Sequence, residues 1–149
     1  MKMILIFLAM SFTASAHIYD TMQQCLDRYG VPESTAHDLL IFKKNGFNIA
    51  CMIHDGKCVS ILYTKEPVAG RRGAALTIEE IDTLKNANWP SEKYAHTSEG
   101  MNEKWISEDR KACVLYNTMN HTLSIVTPES MELFRAQKEL KNSQQTQGL

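Results

Sequence analysis

The chain has 149 residues, 44% of them apolar, and carries 16 lysines and arginines against 17 aspartates and glutamates, a formal charge of −1. That length suits a single domain able to bury a proper core without metal help. The balanced charge leaves no electrostatic footprint for nucleic acid and no basic face for an anionic membrane.

The chain opens with Met1-Lys2, an apolar run from Met3 to Met10, and Ala14-Ser15-Ala16. A short positive start, an apolar segment and a small-x-small site predict a secretory signal peptide over residues 1–16. The apolar run falls short of the roughly 20 residues that a spanning helix needs, so no transmembrane anchor is expected. The expected product begins at His17 and is periplasmic or secreted.

Residues 20–29 predict a helix, with Asp20 as cap and Met22, Cys25, Leu26 and Tyr29 on one stripe. Gly30 closes it and Pro32 forbids its continuation. Strands are expected at 39–42, 47–53 and 58–63, joined by the hairpin signals Asn45-Gly46 and Asp55-Gly56. Residues 64–75 read as a loop, and its Arg71-Arg72 pair as a solvated linker. Thr77 with Glu80 matches a capping box and opens a second helix along Ile78, Ile81 and Leu84. Further strands are expected at 104–107, 111–116 and 122–126. Thr127-Pro128 then opens a last helix with proline at its tolerated first position. The tail 142–149 is polar and is expected to be disordered.

The two parts of the chain read as copies. Ala50-Cys51-Met52-Ile53 is answered by Ala112-Cys113-Val114-Leu115, and Val59-Ser60-Ile61 by Leu123-Ser124-Ile125. The expected fold is therefore α+β, one domain over residues 17–141. Two α-β-β-β halves (17–70 and 71–141) share an antiparallel sheet with helices on one face.

Four cysteines, Cys25, Cys51, Cys58 and Cys113, remain after cleavage, and an even number in an oxidising compartment points to disulfides. A tight turn at Asp55-Gly56 would set Ile53 opposite Cys58 and Cys51 opposite Ser60. Cys51 and Cys58 would then be diagonal neighbours roughly 7–8 Å apart, beyond comfortable bridging. This favours Cys25–Cys58 with Cys51–Cys113. The alternative is that some of the four are buried free thiols.

With Tyr29-Gly30-Val31-Pro32 and the strand pattern after it, the chain resembles the β-lactamase inhibitor proteins and their relatives among outer-membrane assembly lipoproteins. The resemblance implies binding rather than catalysis. The new N-terminus would be His17, so no cysteine is placed there for lipid attachment.

Candidate sites follow from these readings. Phe47, Tyr63, Trp105 and Tyr116 fall on predicted strands, and aromatics displayed together on one sheet face would form a contact surface for a partner protein. After cleavage His17 would offer its amine and ring to copper, which resembles the histidine brace of copper-dependent polysaccharide monooxygenases. His37, His54, His96 and His121 would be its possible partners. The chain has no Gly-x-Ser-x-Gly elbow, His-Glu-x-x-His helix, phosphate-cradling loop or Cys-x-x-Cys pair. The reading is an exported, non-catalytic binding or inhibitor-like module using a sheet face, with no cofactor. The alternative is a copper-binding protein using His17.

Overall fold

The computed structural model describes residues 18–71, 73–91 and 93–146, with side chains through residue 143. The first run of elements is α1 (Met22–Tyr29), β1 (Ser34–Ala36), β2 (Leu39–Lys44), β3 (Phe47–His54) and β4 (Lys57–Lys65). The second is α2 (Ile78–Asn88), β5 (Tyr94–Glu99), β6 (Asn102–Ser107), β7 (Cys113–Asn117) and β8 (Thr122–Val126), followed by α3 (Pro128–Thr146). The eight strands make one antiparallel sheet in the order β1-β2-β3-β4-β8-β7-β6-β5. The fold is mixed α+β and mostly sheet.

Turn chemistry explains the hairpins. Asn45 and Gly46 take φ of 52° and 79°, and Asp55 and Gly56 take 49° and 75°. Positive φ at both central residues matches the right-handed twist of the flanking strands, and Asn-Gly and Asp-Gly tolerate it best.

Four expectations are corrected. Each run holds four strands rather than three, because β1 and β5 lie at the sheet's two edges. Both are almost wholly exposed, so neither leaves an apolar alternation in the sequence. The cap of α1 is Thr21, which exchanges bonds with Gln24, and not Asp20, whose carboxylate is taken by Arg28. α3 runs on to Thr146, so residues 142–146 are helical. Finally, a bulge between Met52 and Ile53 sets Cys51 opposite Ile61 rather than Ser60. Ile53 does face Cys58.

One core fills the space between the sheet and two helices. Leu40, Phe42, Ile49, Cys51, Ile61, Val114, Leu123 and Ile125 share a buried cluster with Cys25 of α1 and Ile81 of α2. At its centre Ile61 faces Ile125 across the β4–β8 junction. Full burial of each such aliphatic side chain stabilises the fold by roughly 1.5–3 kcal/mol.

Cys113 and Val126, paired across β7 and β8, are also buried but stand outside that cluster, because alternation turns them to the other side of the sheet. α3 belongs to this second side, so the expectation of helices on one face is corrected: α1 and α2 share a face and α3 lies on the other. It starts at buried Thr127, whose N–H donates to the Val59 carbonyl at 3.1 Å. Its Leu133 and Phe134 share a depression with Leu39 and Met52. Among the described residues no helix is long and apolar enough to cross a membrane.

Candidate functional site

α1 and α2 sit side by side on the sheet and leave a cleft of about 330 Å³ between them. Phe47, Ile49 and Tyr63 form its floor, with Tyr29 from α1 and Leu84 and Asn88 from α2 as walls. Arg28 and Lys44 also line it. The floor is aromatic and tightly fitted: Phe47 meets Tyr63 edge-on, with ring centres 6.3 Å apart.

The polar groups in this apolar setting form one chain. Asn88 Nδ2 donates to Tyr63 Oη at 3.1 Å and to the Leu84 carbonyl at 2.6 Å. Tyr63 Oη lies 2.8 Å from Tyr29 Oη. Burial, with the neighbouring Tyr63, pushes the Tyr29 hydroxyl well above its ordinary range. Burial also raises Tyr63, against the bonds from Tyr29 and Asn88 that favour its ionised form. Both hydroxyls are therefore neutral hydrogen-bonding groups at physiological pH.

One turn from Tyr29 along α1 stands Cys25, and its sulfur lies within 4.8 Å of those of Cys51 and Cys58, which are themselves that close. All three are buried thiols at 0–1% exposure. Such proximity splits their acidities. Bonds from Cys51 and then Cys58 hold Cys25 low, aided by the Arg28 charge and opposed by burial. Cys51 and Cys58 are both raised, each first by its bond with Cys25. Arg28 is ion-paired to Asp20, while its Nε is buried with no hydrogen-bond partner.

The four aromatics expected to form an open sheet face do share one face, but it is the covered one. Tyr63, Trp105 and Tyr116 are 2%, 8% and 6% exposed, because α1 and α2 pack over them. Phe47 and Tyr63 line the cleft. Trp105 is instead stacked on His96 with Lys85 above it, and Tyr116 accepts the Leu76 N–H at 3.1 Å.

The thiols require a correction too. Cys25 and Cys58 come together, but Cys51 meets these two rather than Cys113. β4 and β8 lie between β3 and β7, which sets three strand spacings, about 14 Å, between Cys51 and Cys113. Disulfide Cα atoms are typically less than about 7 Å apart. The two cysteines also point to opposite sides of the sheet. The leader and His17 lie outside the described residues. Among the other histidines, His96 is held by Glu103 at 2.7 Å and His121 by the Gly73 carbonyl at 2.9 Å.

Asn88 and the Tyr29–Tyr63 pair were missed in the sequence. The signal was there: Asn88 continues the Ile81-Leu84 spacing, so a polar residue occupies an apolar helical stripe.

No family model matches the chain, and no curated protein does. Among solved structures, it is similar to YjgB, a DUF4309 family protein from Bacillus subtilis subsp. subtilis str. 168. The two are 12% identical with a TM-score of 0.40, over 72% of this chain and 78% of that one. An extracellular protein containing a SCP domain from Bacillus anthracis str. Ames gives 12% identity and a TM-score of 0.41, over 87% and 50% of the respective chains. A cysteine-rich secretory protein (SAV1118) from Staphylococcus aureus subsp. aureus Mu50 gives 12% and 0.40, over 76% and 46%. This chain thus spans about half the length of the last two.

Proposed function

We propose that the chain is an exported, non-catalytic binding module whose seat is the cleft between α1 and α2. The observation that carries this reading is the cleft's composition. An apolar floor of Phe47, Ile49 and Tyr63 is joined by the ammonium of Lys44, whereas the Arg28 charge is already matched by Asp20. Such a site suits an apolar side chain of a partner protein with a negative charge beside it. Neutral tyrosine hydroxyls favour orientation of a ligand over acid–base chemistry. The leader pattern at residues 1–16 supports a periplasmic or secreted address.

We further take the two runs α-β-β-β-β to be copies of one unit. Supporting this, β4 and β8 pair so that Ser60 faces Val126, Leu62 faces Ser124 and Ile61 faces Ile125, a pattern symmetric about the last pair.

The test uses 8-anilinonaphthalene-1-sulfonate, an apolar ring system bearing one negative charge, followed by amide chemical shifts. Perturbations should gather at Tyr29, Phe47, Leu84 and Ala87, and Ala87→Trp should abolish them by filling the cleft. Perturbations confined to Leu133 and Phe134 would move the site to the other face of the sheet and refute the proposal.

A further inference from the structure

We propose that Cys25, Cys51 and Cys58 form an all-sulfur, three-coordinate site for a soft monovalent ion, Cu(I). The argument begins with convergence. A disulfide needs two cysteines, but here α1, β3 and β4 each bring one sulfur to the same point, all within 4.8 Å of one another. Three sulfurs held about 2.3 Å from a central ion in a plane lie about 4.0 Å apart. The observed limit of 4.8 Å admits a triangle of that size.

Packing alone does not call for sulfur here. Cys51 faces Ile61 in the first run of strands, and in the second Ile125 is faced by Val114, not by the Cys113 that the sequence repeat matched to Cys51, so strand pairing corrects that match by one residue. A valine fills that position, so an aliphatic residue suffices for the core.

The donor set then selects the ion. Thiolates favour soft ions such as Cu(I) and Zn²⁺. Structural zinc takes four ligands, and catalytic zinc keeps an open place for water. Among the described residues no histidine or carboxylate joins the three sulfurs, and at 0–1% exposure they are shielded from bulk water. A dry three-sulfur set fits Cu(I). Arg28 stands one turn from Cys25 with its Nε buried and unpartnered. Binding requires no change of oxidation state: each sulfur passes its proton to solvent as it forms a bond to the ion. Because the sulfurs are closed off, the ion enters as the chain folds or when α1 lifts from the sheet.

The experiment refolds the full mature chain without oxygen, with reductant and Cu(I) buffered by bicinchoninate. One Cu(I) per chain should bind, and X-ray absorption should show three sulfurs at about 2.3 Å. Cys25→Ser, Cys51→Ser and Cys58→Ser should each weaken binding at least tenfold, while Cys113→Ser should bind as the wild type does. Should a serine variant fail to fold, the wild-type absorption spectrum still decides. The proposal is overturned by absent uptake, by two-sulfur coordination, or by equal loss in Cys113→Ser. A disulfide within the trio in the protein as exported also overturns it. None of these outcomes bears on the cleft beside it.

Discussion

Asn88 of α2 donates its amide to Tyr63 Oη of β4 at 3.1 Å, a buried bond that, with the Lys65–Glu80 ion pair nearer the surface, ties the second helix to the first run of strands. Both residues are buried, at 0% and 2% exposure, so neither can turn to water if the other is lost. Asn88→Leu should destabilise the fold by about 1–3 kcal/mol, the cost of leaving buried polar groups unpaired. Tyr63→Phe, which removes only the hydroxyl, should cost about 1 kcal/mol. Urea unfolding monitored by tryptophan fluorescence measures both, and equal stability of Asn88→Leu and wild type would refute this account.

A second prediction concerns the Asp20–Arg28 ion pair, whose side chains are only 10% and 15% exposed. Removing one partner of a buried pair strands the other's charge, which costs about 3–5 kcal/mol. Asp20→Ala should fall near the lower end, since Arg28 retains some exposure. The Asp20→Ala/Arg28→Met double variant should recover part of the loss. Thermal unfolding of the three variants supplies the cycle, and a strictly additive result would show that the pair is not coupled.

The pH dependence of folding should carry a signature of Glu80. Its carboxyl is held below the ordinary value of 4.5, first by the Lys65 ammonium at 2.8 Å and then by the Thr77 N–H it accepts. A depressed carboxylate adds stability above its unfolded value and gives it up as pH falls through the folded one. The contribution is therefore complete at neutral pH and declines below about 4.5. Glu80→Gln keeps the cap but loses the ion pair, so its acid limb in a plot of Tm against pH should be shallower. Thr77→Ala should instead cost about 1 kcal/mol at every pH, as the loss of a cap does.

Gly73 and Gly46 separate two reasons for having glycine. A Cβ on Gly73 would stand 2.1 Å from the Lys65 carbonyl oxygen, a backbone atom that cannot swing aside. Gly73→Ala must displace the loop after β4, at about 1–3 kcal/mol. It should also disturb the bond between the Gly73 carbonyl and His121 Nδ1, visible as a shift of the His121 ring signals. Around Gly46 there is open space, so Gly46→Ala meets only the cost of its φ of 79°, of order 1–3 kcal/mol, and should leave His121 untouched. Matching His121 shifts in the two variants would contradict this distinction.

Local chemistry was legible in the sequence. Asn45-Gly46 and Asp55-Gly56 marked their hairpins because positive φ at both centres restricts the residues that fit. Thr77 and Glu80 marked the start of α2 for a similar reason, since each side chain accepts the other's backbone N–H three residues away. Where a competing partner lay far along the chain, the same logic misled. Asp20 looked like a cap until Arg28 claimed it, and Thr21 took the role. β1 and β5 escaped notice because edge strands exposed to solvent need no alternating pattern.

The sequence by itself determined the α+β composition, the hairpins and the helix starts, since turn conformation, capping and apolar periodicity act over a few residues. The tertiary structure alone decided which sulfurs meet, that the aromatic face is covered, and that the cleft of Tyr29, Tyr63 and Asn88 exists. Those facts depend on strand order and on the side of the sheet each helix takes. A bulge at Met52/Ile53 and the pairing of β4 with β8 set them, and neither leaves a local mark in the residues involved.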